Sequence, residues 1–253
     1  MAEIITFINE KGGVGKTSSC FNCAWELSRR GRRILMIDMD GQKANLTFFA
    51  GADADGENMK TMADVFKGDV SIGDTIRNIK EDLDIIPADS SMSNLGMEAK
   101  VVKFRKSLSE VSDSYDYIFI DVNPAPGWSH YLSLSVSDHA VVVMLPDIAS
   151  LEGNKGILET IEEIRGTTNP SLDILGFLFN KNNNRTVLAK QVTDAAENMA
   201  AMAESSVFET KIRNTVTLSE NVIAHTGVTE YAPTSPAADD FTAFADELER
   251  RLK

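Results

Sequence analysis

Apolar runs of strand length alternate with longer mixed segments along this chain. The runs are Ile4-Ile5-Thr6-Phe7-Ile8, Arg33-Ile34-Leu35-Met36-Ile37-Asp38, Leu83-Asp84-Ile85-Ile86-Pro87, Tyr117-Ile118-Phe119-Ile120-Asp121, residues 139–145, and Ile174-Leu175-Gly176-Phe177-Leu178-Phe179-Asn180. Most are nearly continuous in apolar residues, as expected of strands buried on both faces of a parallel sheet. Helix-length segments, including 20–27, 97–112, 151–165, 185–202 and 236–252, fall between and after them. This alternation predicts an α/β fold: an open, mostly parallel, twisted sheet with helices on both faces. Residues 50–61, rich in Gly and Asp, read as an exposed loop. No repeat, low-complexity tract or long linker interrupts the pattern, so residues 1–253 read as one domain.

Composition narrows the class. Hydrophobic residues make up 43% and charged residues 25% of the 253 positions, ordinary for a chain that buries a large core. No apolar run approaches a membrane span, and Met1-Ala2-Glu3 lacks the basic start and long apolar region of a signal peptide. The expected location is therefore the cytoplasm. Phe241, Phe244, Leu248 and Leu252 form an apolar stripe on the last helix, but Asp239, Asp240, Asp246, Glu247 and Glu249 dominate its remainder. An anionic membrane surface would repel those acids, so the stripe is expected to pack in the core. Cys20 and Cys23 share one face of the first helix, and no second pair exists to complete a metal site. They too are expected to be core residues. The net charge of −13 argues against a protein basic over its whole surface, yet leaves room for a local basic patch.

The chemistry concentrates in Asn9-Glu10-Lys11-Gly12-Gly13-Val14-Gly15-Lys16-Thr17-Ser18-Ser19. A glycine-rich turn between a strand and a helix aims backbone N–H groups at one point, and the helix N-terminus adds partial positive charge. Lys16 can reach outer phosphates, and the Thr17 hydroxyl can ligate Mg²⁺. Gly12, Gly13, Val14, Gly15, Lys16, Thr17 and Ser18 are thus the expected cradle for ATP. A dinucleotide fingerprint starting at Gly13 fails at its third glycine, where Ser18 stands. Asp38, Asp40 and Asp121 lie at carboxyl ends of predicted strands, where open α/β sheets bind ligands.

The loop departs from the usual P-loop, which wants a glycine where Glu10 stands; it carries a second lysine, Lys11, at its start. It resembles the deviant Walker A loop of the ParA/MinD ATPases, and the resemblance covers nearly the whole chain. It implies that Lys11 reaches across a homodimer to the partner's nucleotide and that Asp121 is the Walker B acid near Mg²⁺. It further implies that Asp40 orients the hydrolytic water, and that Asp38 helps around the metal. Asp121-Val122-Asn123-Pro124-Ala125-Pro126-Gly127, Leu151-Glu152-Gly153 and Leu218-Ser219-Glu220 resemble later family stretches. The closest type is the small, Soj-like ParA without an N-terminal helix-turn-helix domain; the basic membrane tail of MinD is missing. Departures are Gly41 and Asn123 where proline is common, Glu10 where glutamine is usual, Thr217 where arginine is usual, and an offset Arg213.

The resemblance implies slow Mg²⁺-dependent ATP hydrolysis, non-specific DNA binding by an ATP-bound dimer on the nucleoid, and a ParB-like centromere-binding partner. Lys181, Arg185, Lys190, Lys211 and Arg213 are the expected DNA contacts. One alternative is a positioning ATPase for a non-DNA cargo, such as a chemoreceptor cluster. Another, a metal-cluster enzyme like the nitrogenase iron protein, would need interface cysteines away from the P-loop helix, and the chain has none.

Overall fold

The computed structural model describes residues 1–42, 45–52, 59–94, 100–182 and 187–253. Seven strands form its sheet: β1 (Glu3–Ile8), β2 (Ile34–Met39), β3 (Arg77–Lys80), β4 (Leu83–Ile86), β5 (Tyr117–Val122), β6 (His139–Met144) and β7 (Asp173–Phe179). Their order is β3-β4-β2-β5-β1-β6-β7, and every neighbouring pair is parallel except β3 with β4. The helices are α1 (Lys16–Arg29), α2 (Asn45–Phe49), α3 (Met62–Lys67), α4 (Lys100–Val111), α5 (Trp128–Val136), α6 (Ile148–Thr167), α7 (Val187–Met202), α8 (Thr217–Ile223), α9 (Val228–Tyr231) and α10 (Pro236–Arg251).

Side-chain alternation divides the apolar residues between two cores. Leu35, Ile37, Ile118, Ile120 and Val142 point to the face covered by α3 to α7. Ile34, Met36, Phe119, Val141 and Phe7 point to the face covered by α1, α2, α9 and α10. Asp38 keeps step with Ile34 and Met36, and Asp121 with Phe119. Both acids therefore lie on the α1 face, and they are register partners on adjacent strands. Because the strands are parallel, their carboxyl ends share one edge of the sheet, and the loops there can converge.

All six expected strands form, each within a residue or two of its predicted bounds. The α10 stripe packs as expected: Phe241, Phe244 and Leu248 are fully buried and Leu252 is partly buried. Cys20 and Cys23 are buried and unpaired in the same core, and burial pushes both thiols up, away from reactivity. Among the described residues no helix is long and apolar enough to cross a membrane.

Several elements were not anticipated. Strand β3, Arg77-Asn78-Ile79-Lys80, carries no apolar run and exists through its hairpin with β4, turning at Asp82 with φ 61°. Helix α5 contains Leu132-Ser133-Leu134-Ser135-Val136, which alternates like a strand but is buried throughout. In the expected loop at 50–61, Ala50 and Ala52 are buried beside α2, while 53–58 lie outside the described residues.

The two sheet edges differ. β3 is short and charged. Along β7 runs the extended segment 206–213: Phe177 N donates to Ser206 O at 3.0 Å, Phe208 N to Phe177 O at 2.9 Å, and Ile212 N to Phe179 O at 2.9 Å. On the α1 face, Gly227 approaches the Trp25 ring so closely that a Cβ there would overlap it. Trp25 is further held by its Nε1, which donates to Glu230 at 3.0 Å, and by Lys80 lying over its ring. Gly227→Ala is expected to lower stability by about 1–3 kcal/mol through overpacking, read as a reduced denaturant midpoint with an unchanged slope.

Candidate nucleotide-binding site

The loop between β1 and α1 turns on Gly13 (φ 75°) and Gly15 (φ 98°), both left-handed, a region that glycine tolerates best. Gly15 caps α1, and the Asn180 side chain occupies the space a Cβ at Gly15 would need. Above the loop opens a cavity of about 420 Å³. Gly12, Gly13, Gly15, Lys16, Thr17 and Ser18 form its floor. Asp40, Gln42 and Asn45 form one wall, and Asn180, Lys181, Arg213–Thr215, Leu218 and Ser219 another. The Val14 side chain is buried in the core beneath, so Val14 offers the cavity only its backbone.

Lys16 is only 6% exposed. Burial pulls its ammonium pKa down, while the carboxylates of Asp121 and Asp40 oppose that pull. The Thr17 hydroxyl donates to Asp121 Oδ2 at 2.7 Å. Burial, then the neighbouring Asp38, pushes Asp121 above the usual carboxylate range, against the Thr17 hydrogen bond and Lys16. Its Oδ1 is buried with no hydrogen-bond partner among the described residues. An unsatisfied carboxylate oxygen beside a threonine hydroxyl and a lysine fits a divalent cation, bound directly or through water.

Asp38 behaves differently. Its Oδ1 accepts from Asp40 N at 2.9 Å, and its Oδ2 from Thr47 N and Thr47 Oγ1, both at 2.8 Å. Burial raises it to about 6 in spite of these bonds. With both oxygens engaged, Asp38 braces the start of the next loop. Asp40 is also buried; its Oδ1 accepts from Gln42 N at 2.9 Å and its Oδ2 from Asn45 Nδ2 at 3.3 Å.

Lys11 is half-exposed, and its ammonium lies 3.2 and 3.1 Å from the two oxygens of Asp147 in the same chain. Asp147 also caps α6 by accepting from Ser150 N at 2.7 Å. Asn9, fully buried, ties the loop start to the sheet: it accepts from Lys11 N and donates to Val143 O and Asn154. Asn9, Thr47, Asp147 and Asn180 escaped the sequence reading. Asn9 and Asn180 do stand just after strands at the carboxyl edge, a position that could have singled them out.

Of the cations expected to meet DNA, Lys181 and Arg213 line the cavity, while Lys190 and Lys211 do not. Lys181 Nζ donates to Gly13 O at 2.9 Å, inside the cavity wall. Arg213 makes a two-pronged pair with Asp240 at 2.6 and 2.7 Å. Lys211 lies over the Phe179 ring, 3.4 Å from Thr193 Oγ1. Lys190 is exposed on α7, and Arg185 lies outside the described residues.

Comparison with known proteins accords with this geometry. A family described as an AAA domain matches residues 2–174. The chromosome-partitioning ATPase Soj of Thermus thermophilus is 31% identical over 98% of this chain and 96% of its own. This chain belongs to the ParA/MinD family of P-loop ATPases. Cobyrinic acid a,c-diamide synthase of Mycobacterium smegmatis, solved with bound ADP and magnesium, is 25% identical with a TM-score of 0.82, covering 100% of this chain and 96% of that one. Apo McdA of Cyanothece shares the fold at 18% identity, with a TM-score of 0.87 over 100% of both chains. In this ParA/MinD ATPase, Lys16→Ala is expected to abolish ATP binding, because a buried positive charge on the floor of the cavity is lost. A calorimetric titration that finds parental affinity would remove the P-loop from nucleotide binding.

Proposed function

We propose that this chain is a Soj-like partitioning ATPase, an ATP-driven switch that holds and releases DNA. The reading is carried by the meeting of Lys16, Thr17 and Asp40 around one cavity, with Asp121 bonded to Thr17 beside it. The P-loop amides and Lys16 bind the phosphates of ATP. Thr17 and Asp121 hold Mg²⁺, which supplies positive charge to the phosphate oxygens. Asp40, kept in place by Gln42 N and Asn45, orients the attacking water. Lys11 exchanges Asp147 for the nucleotide of a second copy, so ATP closes a homodimer. That dimer binds DNA through phosphate contacts without sequence preference, and a ParB-like partner accelerates hydrolysis and so frees it.

A second reading is a positioning ATPase for a non-DNA cargo. It is favoured by the placement of Lys181 at the P-loop and Arg213 on Asp240, in a chain of net charge −13.

Asp40→Ala is expected to retain ATP and lower turnover by about a hundredfold, as loss of a water-orienting carboxylate does. Size exclusion with ATP should then show a long-lived dimer. Parental turnover would take Asp40 out of the reaction.

Surface retention on unrelated DNA duplexes, with ATP or ADP across a salt series, separates the two cargo readings. Partitioning predicts retention with ATP alone that weakens steeply with salt, the logarithmic slope falling by about 0.9 for each phosphate contact removed. Absence of ATP-dependent retention at every salt concentration favours the non-DNA cargo.

A further inference from the structure

We propose that Lys181 is a positioning residue of the nucleotide site, fixing the Gly13–Val14 peptide of the P-loop from across the cavity. This rests on the reading of that cavity as an ATP site. Lys181 sits just past β7, and its backbone is left-handed, with φ 52°, a conformation that lysine adopts only where its surroundings impose it. The surroundings do so on both sides. Asn180 N donates to Met144 O at 2.8 Å, and Asn182 N donates to Ile212 O at 2.9 Å. Lys181 N itself donates to Asn180 Oδ1 at 2.7 Å. The turn is thereby bound to β6 on one side and to the segment along β7 on the other.

From this platform two side chains reach the two left-handed glycines of the loop. Asn180 Nδ2 lies 3.4 Å from Gly15 O, and Lys181 Nζ lies 2.9 Å from Gly13 O. The carbonyl and N–H of a trans peptide point in opposite directions. Holding Gly13 O therefore sets the direction of Val14 N–H. Gly13 is left-handed, and among the described residues no atom beyond its chain neighbours lies within 4 Å of where its Cβ would stand. A phosphate cradle depends on amides that already converge, and a glycine peptide left free must be ordered each time the ligand binds. Lys181 supplies that order in advance, and its charge stands in the wall of a cavity meant for an anion. Its place is with the nucleotide and not with DNA.

The test compares Lys181→Ala and Lys181→Arg with the parent. Affinity for a non-hydrolysable ATP analogue with Mg²⁺ is measured by calorimetry. Hydrogen exchange of a peptide spanning the P-loop is measured without nucleotide. Lys181→Ala is expected to weaken the analogue by about tenfold, the scale of one charged hydrogen bond, and to speed P-loop exchange at an unchanged melting temperature. Lys181→Arg, which keeps a long donor arm, is expected to recover most of both. Parental affinity and exchange in Lys181→Ala overturn the proposal, as does a loss of affinity that only accompanies a lowered melting temperature. So does a loss of DNA retention with nucleotide affinity intact. Lys16→Ala run alongside separates the two levels. If it too binds like the parent, the ATP-site reading fails; if it alone loses binding, only the role of Lys181 falls.

Discussion

A lysine ammonium with almost no access to water, set against buried carboxylates, is the constraint around which this site is organised. Lys16 opens α1, and the carboxylates that act on it are Asp121, on β5, and Asp40, just past the end of β2. Burying charge is costly unless partners are in place. Here the partners come from the carboxyl ends of two adjacent parallel strands, β5 and β2. The result is a site with two poles. Loop amides and Lys16 form a positive pole suited to phosphate. Asp121, with an unsatisfied oxygen, forms a negative pole suited to a metal ion. Asp38 steadies the division by bonding Asp40 and Thr47, so that the following loop leaves the sheet in one direction.

The sequence disclosed those parts of the site that are local. Gly13, Gly15, Lys16 and Thr17 are contiguous, and Asp38, Asp40 and Asp121 stand at or just beyond the ends of apolar runs. The supporting contacts were hidden because they join residues far apart in the chain. Asp147 meets Lys11 across 136 positions, and Asn180 meets Gly15 across 165. No short window carries such a signal. The same limit applies to the cations: Lys181 and Arg213 looked alike as surface charge, and only the fold takes one to the P-loop and the other to Asp240. Among the elements, β3 lacked an apolar run, while α5 is buried from Leu132 to Val136 with serines between its apolar residues and so shows no helical stripe.

Tethering recurs at each edge of the cavity. Asn9, just past β1, holds the loop start, while Lys181 and Asn180, just past β7, hold its middle and its end. Asn22 adds a further tie from within α1, accepting from Val228 N at 2.7 Å and from Asn221 Nδ2 at 3.1 Å. The helix that begins at the phosphate cradle is thus fastened to the α8–α9 corner. Leu218 and Ser219 at the start of α8 line the opposite wall, so the two sides of the cavity share one support.

The sheet edges bear on how copies of this chain can meet. Exposed strand edges invite other chains to add on, without limit and without regard to ligand. One edge here is a four-residue antiparallel strand bearing Arg77 and Lys80, and the other is overlaid by the extended segment 206–213. Neither presents a long bare ladder to a neighbour. Open-ended polymerisation through backbone pairing is thereby discouraged. Contact between copies is left to helices and loops, which can be made to depend on a ligand where a strand edge cannot.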